Sequence, residues 1–441
     1  MLTSMPVSPS AAPALLASYA DFAATLVAEG VLSDPWVDGA PRFRMTPLLI
    51  DRPLQRALYA AAEAVTALHE QAARLCAAHP ALMDAYCALP PAHQLMWRMG
   101  GGWHGIARAD VFLTADGPRV CELNSDTPSG EPEAIALSRA MGDAAPIGDD
   151  PNRTLGARVS ALVESAWNRV AAAATDLRRS PPPRAVAIVY PTELPDDLSV
   201  IELYARWFQR RGFRVALGSP FNLHDDGAGG VAMFGIPCPV VWRHYKTDWW
   251  GERRPIWRSE PPYADGGPLW PQLSLLGAAC ARRRCAVVNP FGAVLTQNKR
   301  LMALMWEAIE QFQPWARALI RAYVPRTHRI EAIAPARLCA ERARWVLKSD
   351  YGCEGEEVVI GADTLADQWR AAIADALPGR WIAQRRFDAL PLAPAARGRR
   401  PTLANFGVYV VAGRAAGLFT RLGGGATDRT ARSAATLVRL T

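Results

Sequence analysis

Apolar side chains recur every three or four positions through the first hundred residues, in LLASYADFAATLVAEG and in LQRALYAAAEAVTALHEQAARLCAAH, with alanine between them. That spacing predicts helix over most of residues 10–100, a scaffold rather than a site. LGARVSALVESAWNRVAAAATDL keeps the same period until Pro181, Pro182 and Pro183, which cannot continue a helix and mark a linker. The pattern then changes. AVAIVY (185–190), LSVIELYARWFQRRG (198–212) and FRVALGSP (213–220) read as strand, helix and strand of the open α/β kind, continued by VAMFG and VVWRHY to Asn289-Pro290. No G-x-G-x-x-G follows the first of these strands, which disfavours a dinucleotide site there. From residue 296 a helix, a strand, a loop and further strands run onward, so three regions are expected: 1–180, 181–295 and 296–441.

The polar positions gather most tightly in GIARADVFLTADGPRVCELNSDTPSGE (105–131). Two alternating strands joined through Ala115-Asp116-Gly117 predict a hairpin. A three-residue loop sets Thr114 opposite Pro118, Phe112 opposite Val120 and Asp110 opposite Glu122. Period two then places Arg108, Asp110, Glu122 and Asn124 on one face. Opposed carboxylates repel, and a divalent cation removes that cost; Asp, Glu and an Asn carbonyl are hard oxygen ligands suited to Mg²⁺. A solvent-facing strand with an ordinary Arg108 salt bridge would give the same pattern.

Only three lysines, Lys246, Lys299 and Lys348, stand among the 49 basic residues; the others are arginine. A lysine kept against that bias suits a role that the planar guanidinium fills poorly, such as a compact ammonium among phosphate oxygens. In LTQNKRLMALMWEAIEQF, Leu301, Leu304, Met305, Ile309 and Phe312 trace one helical stripe, which puts Lys299 and Arg300 in the first turn. Cations there oppose the helix dipole at a cost of up to about 1 kcal/mol, which a bound anion offsets. RWVLKSDYGCEGEEVVIG predicts a strand ending at Lys348, a loop with Gly352 and Gly355, and a strand from Val358; such a loop can fold over phosphates or be a plain hairpin. WIAQRRF, containing Gln384, and ANFGVYVVAGRAAGLFTRLGGG, ending near Arg421, supply further strands. Lys246, in VVWRHYKTDWWGERR, matches no nucleotide motif and is expected at a surface or interface, the alternative being that it orients a substrate carboxylate.

Composition narrows the classes. The net charge of +7 is spread along the chain, with short dense runs only, so solvated surface is expected and no nucleic acid partner. The opening residues carry neither a positive n-region nor a long apolar run, and the expectation is a cytoplasmic protein with no membrane partner. Eight cysteines without C-x-x-C spacing and seven scattered histidines predict free thiols and no zinc site.

RAD…CELNSDTPSGE, NPFGAVLTQNKRLMALMWE, WVLKSDYGCEGEEVVIG and FGVYVVAGRAAGLFTR together resemble the glutathionylspermidine synthase family of circularly permuted ATP-grasp ligases, in the family's order and across most of residues 100–425. The resemblance implies an α/β (α+β) ATP-grasp fold in permuted order, acids before lysines, with a Rossmann-like pre-ATP-grasp segment and a helical N-terminal region. It implies Asp110, Glu122 and Asn124 as ligands of Mg²⁺, two ions being expected, and Arg108 as the group stabilising the reacting phosphoryl. Lys299 and Lys348 would contact ATP phosphates, with Gly352, Gly355, Gln384 and Arg421 completing the cofactor set. The implied activity is ATP-dependent amide formation between a small-molecule or peptide carboxylate and an amine. The alternative is a non-catalytic paralogue that binds a nucleotide or a partner. No cysteine-histidine amidase part precedes the synthetase motifs, glutathione and spermidine are not carried over as substrates, and a homodimer is left open.

Overall fold

The computed structural model describes residues 8–9, 18–32, 34–100, 105–144, 148–194, 197–255, 260–352, 357–392, 401–425 and 431–440; Gly355 therefore lies outside the described residues. The helical N-terminal expectation holds for α1 (Tyr19–Ala28) and α2 (Arg52–Ala78), but short strands at Trp36–Val37, Ala40–Pro41 and Leu48–Ile50 separate them. Asp51 caps α2 by accepting from the Leu54 N–H at 2.7 Å, and Pro53 in the first turn supplies a preset φ. The alanines at 61, 62, 72 and 73 are buried and let this helix lie close on a sheet.

That sheet is assembled from β1 (Ile106–Thr114), β2 (Gly117–Asn124) and three strands from far along the chain. After β2 come α3 (Glu131–Ala144) and α4 (Leu155–Asp176). The α/β segment follows: β3 (Ala185–Val189), α5 (Leu198–Arg210), β4 (Arg214–Gly218), β5 (Val240–Arg243) and β6 (Ala286–Val288), a parallel sheet of four strands in the order β6-β5-β3-β4. Val231–Met233, from the VAMFG expected to continue this sheet, instead joins a small antiparallel sheet of three strands. Its neighbours there are sequence-adjacent hairpin partners, which form without a crossover.

Next, α6 (Arg300–Glu307) is shorter than its apolar stripe predicts; the chain turns through Ile309–Gln311 instead, with Phe312 still buried. A second antiparallel sheet contains β7 (Thr327–Arg329), β8 (Trp345–Ser349), β9 (Val358–Ile360) and β10 (Trp381–Arg385) in the order β7-β10-β8-β9. The chain then returns with β11 (Leu403–Val411), β12 (Arg414–Gly423) and β13 (Arg432–Ala434), completing the five-stranded sheet β13-β12-β11-β1-β2.

Strand alternation divides this last sheet into two faces. Ala107, Ala109, Val111 and Leu113 of β1 join Phe406, Val408 and Val410 of β11 in the core under α2. Arg108 and Asp110 point to the other face, where β11 offers Asn405, Gly407 and Tyr409. Gly407 is needed there because a Cβ would meet Arg108 Cδ at 2.8 Å and the Phe419 carbonyl at 3.0 Å.

The hairpin differs from expectation at its tip and agrees at its base. Thr114 pairs with Gly117 across a two-residue turn, Phe112 with Arg119 and Val111 with Val120. A bulge next to Asp110 takes up Cys121 as the extra residue, so Asp110 still faces Glu122 and Arg108 faces Asn124.

Candidate functional site

The polar face of the five-stranded sheet floors a cavity of about 830 Å³ whose walls come from the four-stranded antiparallel sheet, the end of the parallel sheet and the N-terminal segment. Arg108, Asp110, Glu122, Asn124, Lys348, Gly352, Gln384 and Arg421, all singled out from sequence, line it. Lys299 stands at its edge, with Nζ 3.8 Å from Glu122 Oε2.

The floor is held by charge. Arg108 donates from Nε to Asp110 Oδ1 at 2.8 Å and from Nη1 to the Ser129 carbonyl at 2.7 Å. Arg421 Nη2 donates to Asp110 Oδ2. Burial alone would push the Asp110 carboxyl up, but the Arg108 and Arg421 guanidiniums overturn this and hold it well below the usual carboxylate range. Asp110 in turn keeps Arg108 charged against the cost of burial. Arg421 Nε is buried without a hydrogen-bond partner among the described residues, an unspent donor beside the cavity.

Glu122 is the more open carboxylate, its side chain 23% exposed, and it accepts from Asn124 Nδ2 at 3.3 Å.

The bulge at Cys121 has a structural result. Freed from the ladder, the Cys121 carbonyl accepts from Lys348 Nζ at 3.0 Å and from Gln384 Nε2 at 3.3 Å. The two sheets are thereby tied at the point where β8 brings its lysine over the carboxylates. Burial pushes the Cys121 thiol up to about 12, so it stays protonated and unreactive although it lines the cavity. Lys299 occupies the position just before the first turn of α6 without capping it, and its ammonium donates to the Gly352 carbonyl at 2.7 Å. Asp350, one residue from Tyr351 and salt-bridged to Arg380 at 2.7 Å, has its carboxyl pushed up to about 6 by burial.

Several lining residues gave no signal in the sequence. Asp34, Trp36 and Arg42, from the segment expected to be scaffold, form one corner, with Arg42 bound to Glu133 at 2.7 Å. From the end of the parallel sheet come Asp197 and His244, Nε2 to Oδ1 3.5 Å. Burial works against a charge on His244, but Asp197 raises it above the ordinary histidine range. Lys246, expected at a surface, lines the same cavity.

The donor set suits a hard cation that completes its shell elsewhere. Among the described residues no group of three or more His, Cys, Asp or Glu side chains is placed to hold a metal. Glu122 with the Asn124 and Asp110 oxygens is instead a sparse set of hard oxygen donors, of the kind that Mg²⁺ takes when water and phosphate oxygens complete its shell. Four cations, Arg108, Arg421, Lys299 and Lys348, surround two carboxylates, and this surplus favours a polyanion. Among the described residues no helix is long and apolar enough to cross a membrane, and the seven described cysteines are free.

Residues 273–439 match the sequence profile described as glutathionylspermidine synthase pre-ATP-grasp, a stretch holding both lysine motifs and Arg421 but not the acidic hairpin. A search of curated proteins finds no match. Among solved structures the chain is similar to a glutathione synthetase-like effector from Globodera pallida in its apo form, at 12% identity and a TM-score of 0.60, covering 95% of this chain and 96% of that one. A putative γ-glutamylcysteine synthetase from Methylobacillus flagellatus, at 12% identity over 82% of this chain and 84% of its own, has a TM-score of 0.41 and is too loose a likeness to argue from. Residues 273–439 are thus similar to the glutathionylspermidine synthase pre-ATP-grasp family, and the chain as a whole shares its mixed α/β fold with the glutathione synthetase-like effector.

Proposed function

We propose that this protein is an ATP-dependent carboxylate–amine ligase. The observation that carries the proposal is the convergence of Lys348 in the cavity and Lys299 at its edge on the Asp110–Glu122–Asn124 oxygens, from separate elements over a hundred residues downstream. Asp110, Glu122 and Asn124 would hold Mg²⁺, which when bound screens phosphate charge and polarises the transferring phosphoryl group. Lys299, Lys348 and the free Nε–H of Arg421 supply donors for phosphate oxygens, and Gln384 fixes the wall beside them.

A substrate carboxylate oxygen attacks the γ-phosphorus of ATP while the bond to the bridging oxygen of ADP breaks. An amine nitrogen then attacks the acyl carbon, phosphate leaves, and the amine protons pass to a base or to water. Arg108 neutralises charge as it moves. No nucleophilic side chain is required, so catalysis rests on position and charge.

The test is calorimetric binding of AMP-PNP with and without Mg²⁺ to wild type, Glu122→Ala and Lys348→Ala. Mg²⁺-dependent binding that weakens at least about tenfold in both variants supports the site, one lost charged contact being worth that much. ADP release on adding acids and amines then separates a ligase from a nucleotide-binding paralogue. Absence of binding by folded wild type overturns the reading.

A further inference from the structure

Lys246 is the lysine that the nucleotide motifs leave over. It follows β5, alternates with His244 on the cavity wall, and is mostly buried, with its side chain 18% exposed. Its ammonium lies 3.4 Å from Asp248 Oδ2, 5.1 Å from the ring centroid of Trp249, and donates to the Tyr351 carbonyl at 3.4 Å. Tyr351 precedes Gly352, whose carbonyl takes the Lys299 ammonium. Consecutive residues are about 3.8 Å apart. Two lysines from unrelated elements therefore converge on neighbouring main-chain carbonyls at the end of β8, and the third, Lys348, also rests on a carbonyl.

The same strand shows what arginine does here. Arg243 is 1% exposed and spends every side-chain nitrogen on fixed partners, Asn289, Tyr245 and Asp126. Three residues on, where the wall faces the cavity, the cation is a compact ammonium with three rotatable donors, able to trade a carbonyl for a phosphate oxygen. Lys348 and Gln384 occupy the side of the four-stranded antiparallel sheet and Lys299 stands by Glu122, whereas Lys246 stands on the parallel-sheet wall with His244 and Asp197. On the ligase reading, a cation on this wall, apart from the two lysines beside the carboxylates, is placed for the transferring phosphate.

We propose that Lys246 is a third phosphate ligand, specific to the γ-phosphate, while Lys299 and Lys348 bind phosphates that ATP and ADP share. This rests on the ligase reading above. The experiment compares calorimetric binding of Mg²⁺ with AMP-PNP and with ADP, for wild type, Lys246→Met and Lys299→Met, with thermal unfolding as a check on folding. Lys246→Met is expected to weaken AMP-PNP about tenfold, as loss of one charged contact does, and to leave ADP within about twofold. Lys299→Met weakens both. Equal losses for the two nucleotides in Lys246→Met, or none, overturn the proposal while the nucleotide site stands. Failure of wild type to bind either nucleotide overturns the site itself. Should Lys246→Met not fold, Asp248→Asn serves: freed from its counter-ion, Lys246 should hold AMP-PNP several-fold tighter with ADP unchanged, and no tightening counts against the proposal.

Discussion

Two buried arginine–aspartate pairs lie on the same cavity and do opposite jobs. Asp126 is clasped by Arg243 Nη2, by the Thr247 hydroxyl and by the Thr247 N–H at 2.6 Å, and Asn289 Nδ2 ties the adjoining carbonyls of Ser125 and Asp126 to that of Ile106. One cation meets one anion, and every guanidinium nitrogen is spent. Asp110 faces two guanidiniums, Arg108 and Arg421, and Arg421 keeps a donor without a partner among the described residues. Burial and ion pairing are common to both; surplus charge separates a strut from a site.

The largest effect should come from the strut. Arg243→Met leaves Asp126 charged and buried without its cation, a loss of about 3–5 kcal/mol, measured by denaturant unfolding. Arg421→Met should cost stability much less, because Asp110 keeps Arg108, yet weaken Mg²⁺–AMP-PNP by roughly tenfold to a hundredfold in calorimetry. If the two variants lose stability equally, the distinction between them collapses.

Glu131 sharpens the contrast from the opposite side, as a buried carboxyl with no salt bridge among the described residues, Arg108 and His244 acting on it only at a distance. Tyr204 donates to its Oε1 at 2.9 Å, Oε2 has no hydrogen-bond partner among the described residues, and burial pushes the carboxyl up to about 7. Between the ordinary carboxylate range and pH 7 the folded state keeps a proton that the unfolded chain releases. Stability therefore falls as pH rises through that window and stays low above it. Glu131→Gln should flatten this slope, raising stability by about 1–2 kcal/mol at pH 8 and by little below pH 5; an unchanged slope in pH-dependent unfolding would refute it. Cys121→Ala should do least, under about 1 kcal/mol, since its carbonyl rather than its thiol holds Lys348 and Gln384.

The comparison also explains what could be read from the sequence. Period-two alternation placed Asp110 against Glu122 although the turn was misjudged by one residue, because the bulge at Cys121 restored the phase that the shorter turn removed. No local pattern announces such a bulge. The lysine motifs and glycine-bearing strand were legible since each is contiguous. Arg42 with Glu133, Arg243 with Asp126 and the hub at Asn289 were not: those partners lie 91, 117 and up to 183 residues apart, and periodicity carries no information over such separations. Lys246 failed for the same reason, its neighbours in sequence being aromatic and basic while its cavity is assembled by the fold.

The concentration of all three lysines around one cavity leaves the exterior with an unusual chemical blank. Lys299 and Lys348 are 5% and 6% exposed, and every outward-facing cation is arginine or histidine. Acylating reagents, lysine-directed cross-linkers and enzymes that append groups to lysine thus meet no freely exposed ε-amine on this protein, and whatever slow ε-amine labelling occurs reports on the opening and filling of a single chamber.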